Sequence, residues 1–175
     1  SYTFNSAGLP TVVRDPLGHE RRYEYNSLGL VTREEDAFGR ALTRTYDASG
    51  NLLVETARDG GVTTNTYDGF GNLLTMTDAL GGVTSFTYNN QGLPLTEELR
   101  AADGSLVTSR SFAYDVYGNL TRESIEQALA DGTTRDVVTT HTYDATGNPL
   151  STSYPDGLIE SRTFDVSGRL TRVVD

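Results

Sequence analysis

Two histidines and a few serines are the residues in this chain whose types could support catalysis. His19 and His141 are the only histidines, and a catalytic histidine needs a nucleophile or a carboxylate positioned beside it. No such partner recurs around either residue, and Ser49 and Ser167 lack the Gly-x-Ser-x-Gly context of a nucleophile elbow. The sequence therefore favours ordinary sheet or surface roles for both histidines, and we predict no catalytic residue and no enzymatic activity.

The aspartates are spaced for turns rather than for metal ligation. A calcium loop brings six or more oxygens together through closely alternating acidic residues, whereas each turn in this chain supplies one carboxylate. The chain has no cysteine, which excludes disulfides and cysteine-based zinc sites. Asp at the start of a turn accepts bonds from nearby backbone N–H groups, and Gly supplies a positive φ. We therefore expect hydrogen-bonded turns, with no metal site and no cofactor.

These turns belong to a phrase, aromatic-Asp/Asn-x-x-Gly, which occurs eight times. The aromatic residue recurs every 21 residues from Phe4 to Tyr88, and then after steps of 26, 29 and 21 residues. A period of this length indicates supersecondary units that stack, because one unit cannot bury its own apolar face. The predicted structural repeat positions are Phe4, Asn5, Gly8, Tyr25, Asn26, Gly29, Tyr46, Asp47, Gly50, Tyr67, Asp68, Gly71, Tyr88, Asn89, Gly92, Tyr114, Asp115, Gly118, Tyr143, Asp144, Gly147, Phe164, Asp165 and Gly168.

Each unit contains two strand-like runs. Between Gly29 and Gly50, the runs 30–35 and 40–46 are rich in Thr, Val, Leu and Tyr, and each ends at an Asp-to-Gly turn, which is a hairpin signature. The turn between copies of the phrase is expected to shorten in four places: Asp59-Gly60, Asp103-Gly104, Asp131-Gly132 and Asp156-Gly157. The sequence predicts an all-β chain of tandem two-stranded hairpins, about 21 residues each, in a curved antiparallel strip. The longer steps around 99–102 and 125–130 are interpreted as longer hairpin arms or loops.

Alternation along the strands predicts one Tyr-rich, modestly apolar face and one Thr-rich face. Aliphatic residues two positions after the turn glycine, such as Val31 and Leu52, are expected beside the aromatic ladder. Three prolines share that position: Pro10, Pro94 and Pro149. Because proline cannot donate to a strand ladder, the sequence predicts that the backbone N–H at this position is unpaired in every repeat.

Composition limits the function classes. Hydrophobic residues make up 36% of the chain and Trp is absent, so little material is available for a thick core. The net charge of −10 disfavours nucleic acid and anionic membrane surfaces, which need clustered Lys and Arg. The sequence has no apolar run of about 18 residues, so we predict no membrane insertion. The chain begins and ends within a unit, and we expect residues 1–175 to be a single array of about eight repeats cut from a longer one.

The segments Tyr114–Arg122 and Phe164–Arg172 resemble the YD repeat of Rhs proteins. This repeat also occurs in wall-associated proteins of Gram-positive bacteria, the BC component of insecticidal toxin complexes, and teneurins. The resemblance extends from Tyr2 to Asp175. It implies a β-sheet strip wound into a hollow shell, which encloses a C-terminal toxin polypeptide or, in teneurins, forms the body of an adhesion ectodomain. It also implies a secreted or cell-surface protein, delivered by a bacterial secretion system if it is of the Rhs type.

That family carries an aspartyl autoprotease whose motif ends in Pro-x-x-x-x-Asp-Pro-x-Gly. Pro10 and Asp15-Pro16-Leu17-Gly18 match the spacing. However, Asp15 falls in an ordinary turn between repeats, and further repeats follow it. We interpret the match as a turn.

The sequence therefore predicts a container wall whose partners are an enclosed C-terminal toxin polypeptide and neighbouring repeats. The alternative is a cell-surface adhesion or carbohydrate-binding module, in which exposed Tyr rings stack on glycans and repetition adds avidity. Exposed sheet edges also predict self-association.

Overall fold

The computed structural model describes residues 1–129 and 132–175. These residues form sixteen β-strands and no helix, so the all-β fold class of antiparallel hairpins predicted from the sequence is confirmed. They divide into two compact units, Ser1–Gly82 and Val83–Asp175. Within the described part of the chain, no helix is long and apolar enough to cross a bilayer.

In the first unit each strand pairs antiparallel with the next one along the chain. Its strands are β1 (Tyr2–Phe4), β2 (Pro10–Arg14), β3 (Glu20–Tyr25), β4 (Val31–Glu35), β5 (Ala41–Tyr46), β6 (Leu52–Thr56), β7 (Val62–Tyr67) and β8 (Leu73–Thr77).

The second unit repeats this meander. Its strands are β9 (Val83–Tyr88), β10 (Pro94–Arg100), β11 (Leu106–Tyr114), β12 (Leu120–Ala128), β13 (Thr134–Tyr143), β14 (Pro149–Ser153), β15 (Ile159–Phe164) and β16 (Leu170–Val174). Of the segments predicted to be longer hairpin arms or loops, the part up to Arg100 and the part from Ile125 to Ala128 lie in strands. Ala101 and Ala102 lie in the turn that follows β10. Ala130 lies outside the described residues.

The turns share one five-residue geometry. In the turn from Asp47 to Asn51, the first N–H donates to the fifth carbonyl at 2.9 Å, and the Gly50 N–H donates to the first carbonyl at 3.2 Å. Gly50 has a φ of +93°, a region that only glycine adopts at no steric cost. This is the three-residue hairpin loop, a type I turn followed by a left-handed residue.

The expectation of shortened turns is wrong. The turn containing Asp59-Gly60 begins at Ala57, whose N–H donates to the Gly61 carbonyl at 2.8 Å, so its loop has the same length as the others. The turns ending at Ser105, Thr133 and Leu158 are built in the same way. In three of them Asp stands third instead of first, and its carboxylate accepts the N–H of the fifth residue, as Asp59 does from Gly61 at 3.0 Å. Asp131 itself lies outside the described residues.

The hairpins closed by the aromatic phrase contain a register shift. On β5 and β6, Thr45 pairs with Val54 but Tyr46 pairs with Leu52, which leaves Leu53 without a register partner. The same shift follows the aromatic phrase in all eight copies. Such a bulge increases the local twist of a strand pair. In three copies the register partner of the aromatic residue is a proline: Pro10, Pro94 or Pro149. In the other five copies the partner is Val or Leu, so the aliphatic residues lie beside the aromatic ones as expected.

Neither unit has a conventional core. Among the described residues, no hydrophobic side chain is fully buried, and only Ser124 and Thr152 are buried, at 7% and 4% exposure. The sheet is therefore one layer thick, and contacts between neighbouring strands must supply its stability.

Candidate functional site

The turn carboxylates each accept several hydrogen bonds. Asp47 Oδ1 accepts the backbone N–H of Ser49 at 2.9 Å and of Asn51 at 2.8 Å, and Asp47 Oδ2 accepts the Asn51 side-chain amide at 2.8 Å. The hydrogen bond from the Asn51 side chain, followed by the backbone bonds, lowers the pKa of Asp47. Asp68, Asp115 and Asp144 have the same arrangement, and the pKa of each is lowered in the same way.

The first and fifth turn positions are matched within the sequence. Turns that begin with Asn carry Leu fifth, as in the pairs Asn5 with Leu9, Asn26 with Leu30, and Asn89 with Leu93. Most turns that begin with Asp carry a donor fifth: Asn51, Asn72, Asn119, Asn148, Arg40, Arg169 or His19. A carboxylate has a second oxygen that needs a donor, which explains the pairing. This match was not among the predictions from the sequence, although both residues of each pair can be identified there.

In four of the repeats, a tyrosine hydroxyl donates to a backbone carbonyl of the preceding repeat. Tyr25 donates to the Pro10 carbonyl at 2.8 Å, Tyr46 to that of Val31 at 2.9 Å, and Tyr67 to that of Leu52 at 3.0 Å. In the second unit of the fold, Tyr143 donates to the Leu120 carbonyl at 2.9 Å. Each acceptor carbonyl belongs to the residue two positions after a turn glycine. Proline is tolerated at this position because it keeps the carbonyl that accepts the bond. These four tyrosines, Tyr25, Tyr46, Tyr67 and Tyr143, therefore link neighbouring repeats, and we call the four hydrogen bonds tyrosine staples.

The turns also stack on one another through the fifth residue. A Cβ on Gly50 would lie 3.3 Å from Leu30 Cδ1, and a Cβ on Gly118 would lie 3.4 Å from Leu93 Cδ1. A Cβ on Gly71 would lie 3.7 Å from Asn51 Oδ1, and a Cβ on Gly147 would lie 3.8 Å from Asn119 Oδ1. Glycine in the phrase thus meets two demands, a positive φ and a close approach by the neighbouring repeat.

Ion pairs cross the Tyr-bearing face. Arg44 Nε lies 2.7 Å from Glu55 on the adjacent strand, and Arg110 lies 3.4 Å from Glu97 and 2.6 Å from Glu123. Arg110 therefore joins three strands, β10, β11 and β12, and the Glu123 carboxylate holds its pKa above the ordinary value. Partly exposed pairs of this kind contribute about 0–1 kcal/mol each, so they mainly fix register and neutralise an acidic face.

The histidines occupy separate places. His141 Nδ1 lies 3.2 Å from Thr152 Oγ1 across β13 and β14, and no carboxylate contacts it within the described residues. His19 Nδ1 lies 2.9 Å from Asp15 Oδ2, and this contact lowers the pKa of Asp15. His19 thus fills the donor position of an ordinary turn, and Asp15 shares the geometry of the other turn aspartates. No group of three His, Asp or Glu side chains in the described residues is placed to hold a metal ion.

One open pocket lies beside the turns of the first unit of the fold. Its volume is about 500 Å³, and its lining includes Tyr23, Phe38, Asp15, Arg21 and Arg40. Phe38 is 83% exposed, and the Arg40 guanidinium lies 5.3 Å from its ring centre. Aromatic rings beside hydrogen-bonding groups form a surface on which a polar ring could stack.

Comparisons with known proteins point to one family. The RHS Repeat family model matches residues 4–41, 25–64 and 67–106, and each match spans about two of the 21-residue steps. No curated protein sequence matches the chain significantly.

Solved structures share the fold. A chain of the Photorhabdus luminescens Tc holotoxin pore, with a TccC3 mutation, matches with a TM-score of 0.73 at 18% identity over 99% of this chain and 10% of its own. TcdB2-TccC3-Cdc42 matches with a TM-score of 0.59 at 16% identity over 98% of this chain and 11% of that one. The chain thus spans about a tenth of the length of these structures, and the likeness shows the fold.

Proposed function

The chain belongs to the RHS repeat family, and we propose that it is a segment of a shell wall that encloses and protects a toxin polypeptide. In this proposal residues 1–175 are one array within a longer protein. The protein is secreted or displayed at the cell surface and serves in bacterial competition. The wall itself performs no chemistry, because the toxic activity belongs to the enclosed polypeptide.

The observation that carries the proposal is a sheet without a core whose units are stapled along the chain. A globular enzyme or receptor stabilises itself by burying apolar side chains, but here no hydrophobic side chain of the described residues is fully buried. The stabilising contacts are strand pairing, the tyrosine staples of four repeats and stacked turns, and all three act between neighbouring repeats. Such a sheet can be extended by adding units, as a container wall requires. The likeness to toxin-complex chains over nearly the whole length supports the same role.

The test is protease protection in the full-length protein that carries this segment. Thr43→Pro places proline in β5, which is paired on both sides, so a ladder donor is lost. Thr43→Val is the matched control, because it keeps the backbone N–H and the β-branched shape. We expect the polypeptide downstream of the shell to resist protease in the parent and the control. In Thr43→Pro it should be cut at least about tenfold faster. Equal cleavage rates in all three proteins would refute the container.

The second candidate function is glycan binding at the pocket beside Tyr23 and Phe38. The exposed Phe38 ring and the surrounding charged groups favour it, since sugars stack on aromatic rings and bond to charged side chains. Titration of the chain with a panel of oligosaccharides, followed by amide NMR, tests this function. Shifts confined to the pocket and lost in Phe38→Ala would support it. No shift at millimolar sugar would remove it.

A further inference from the structure

One strand in the second unit of the fold has an edge that no neighbour covers. β13 pairs with β12 over Thr134–Thr140, but its pairing with β14 begins only at Thr140, opposite Ser153. β14 has five residues and β13 has ten. Residues 134–139 therefore form an open edge, to which no strand of the described residues is paired.

The phase of the hairpin shows which backbone groups this edge presents. The Leu129 N–H donates to the Thr133 carbonyl at 2.8 Å, and antiparallel pairs alternate between hydrogen-bonded and non-bonded. Arg135, Val137 and Thr139 therefore direct their backbone groups toward β12. Thr134, Asp136 and Val138 direct theirs outward, in phase with Thr140, which pairs with β14. An added strand would find three N–H and three C=O groups there.

The fold itself prevents β14 from covering this edge. After Ser153 the chain turns, with the Tyr154 N–H donating to the Leu158 carbonyl at 2.8 Å. Pro155, in that turn, has no N–H to offer to Val138. This turn therefore lies at the end of the open edge that is nearest Thr140. The edge has no proline, and its charged side chains are the exposed Arg135 and Asp136.

The charges along the edge indicate what it accepts. Glu126 and Asp136 are direct cross-strand partners, so they lie on the same face, and no described residue forms an ion pair with either. Asp136 is exposed, whereas Val137 and Val138 are half-buried. The edge therefore offers two valines and, on one face, an uncompensated pair of carboxylates.

Pairing with a second copy is disfavoured by the same charge. A symmetric antiparallel pair centred on the outward-facing residues would set Thr134 opposite the other copy's Val138 and Asp136 opposite its own equivalent. Like charges directly opposite destabilise a strand pair. A basic residue opposite Asp136 would instead neutralise it.

We propose that the open edge of β13 receives an extended segment of the enclosed polypeptide as an added antiparallel strand. That segment carries Lys or Arg opposite Asp136 and β-branched residues opposite Val137 and Val138. Backbone hydrogen bonds supply the affinity and the facing side chains supply the selection, as in other cases of strand addition. This inference rests on the proposed function, because it takes its occupant from the interior of the shell.

The test uses the chain of 175 residues and the peptide Thr-Val-Val-Lys-Glu-Thr. In the antiparallel register its Lys lies opposite Asp136 and its Glu opposite Arg135. We expect the amide signals of Thr134, Asp136 and Val138 to shift in NMR titrations. N-methylation of the peptide at its second and fourth residues removes inward-pointing donors and should weaken binding at least about tenfold. N-methylation at the third and fifth residues, whose N–H groups point outward, is the matched control and should leave binding nearly unchanged.

Two variants of the chain complete the test. Asp136→Lys should weaken binding of this peptide about fivefold and favour a peptide with Asp in place of Lys. Val138→Pro removes an outward donor without disturbing β12 and should block binding, with circular dichroism reporting that the sheet is retained. Equal binding of both N-methylated peptides, or no shift at the edge, would overturn the inference. A dimer that Val138→Pro dissociates would also overturn it, by identifying a second copy as the occupant. Protease protection in the full-length protein is measured separately, so the proposed container function remains supported if strand addition at β13 is refuted.

Discussion

Replacing Tyr46 by Phe tests the tyrosine staple directly. The change removes one hydroxyl, which donates to the Val31 carbonyl at 2.9 Å, and keeps the ring that packs on the sheet. A hydrogen bond of this kind contributes about 0.5–1.5 kcal/mol net. Because Tyr46 is half-buried, water can partly replace the lost donor, so we expect a loss of about 1 kcal/mol. This corresponds to about fivefold faster opening of the contact between the two units.

Hydrogen exchange is the suitable assay, because a repeat array can open locally before it unfolds globally. The amides of β4 and β5 should exchange about fivefold faster in Tyr46→Phe, while those of β15 and β16 should not change. Tyr114→Phe is the matched control, since the Tyr114 hydroxyl has no hydrogen bond to another described residue, although burial raises its pKa. This control should leave exchange unchanged or slightly slower.

The chain also offers the reverse experiment. Phe164 occupies the tyrosine position of its copy, and the expected acceptor is the carbonyl of Pro149, two residues after Gly147. Phe164→Tyr should therefore slow exchange in β14 and β15, by up to about fivefold. In the 175-residue chain, Phe4→Tyr should change nothing, because residues 1–3 contain no turn glycine two positions before a possible acceptor carbonyl. If Tyr46→Phe and Tyr114→Phe behaved alike, the hydroxyl would not be a staple and the reasoning would fail.

Three further predictions concern the turns. Gly50→Ala should lower the free energy of unfolding in urea by about 1–2 kcal/mol, because φ is +93° and the new Cβ would lie 3.3 Å from Leu30. Gly69→Ala, at a position with ordinary φ and open space, should leave it nearly unchanged. Equal losses in the two variants would contradict this prediction. Asn51→Leu should destabilise the chain, because Asp47 Oδ2 loses its hydrogen-bond donor. Adding Asp47→Asn should recover stability by recreating the Asn-Leu pair found in other turns. Additive losses in the double-mutant cycle would show that the first and fifth turn residues are not matched. The pKa values of Asp47, Asp68 and Asp144 are lowered in the folded state. Their ionised carboxylates therefore stabilise the fold above the unfolded pKa of about 4, and this stabilisation is lost as pH falls through the folded pKa values. The urea midpoint should decrease steadily below about pH 4, and a midpoint that stays constant from pH 5 to 2 would show that the turn carboxylates are not stabilising groups.

The sequence by itself determined the strands and the turns of the aromatic phrase. Asp47 and Gly50 lie within one five-residue segment, so the bonds that close the turn are local and follow from residue type and spacing. The pairing of Tyr46 with Leu52 was likewise predictable, because a hairpin sets the register of its own strands. The matching of Asp47 with Asn51 was equally readable, since both residues belong to the same turn.

Only the tertiary structure decided which atoms join one unit to the next. The bond from Tyr46 to Val31 depends on the bulge and the register of two adjacent hairpins, which alternation alone does not specify. The full length of the Asp59 turn was missed because Asp is commonest at the first turn position, while backbone pairing selected Ala57 to begin the loop. The open edge of β13 arises from the difference between its length and that of β14, so it exists only once both strands are placed side by side. Residue type and spacing therefore determine the hairpins of the aromatic phrase, because their bonds are local. The tyrosine staples and the open edge depend on how neighbouring hairpins are placed, which only the tertiary structure shows.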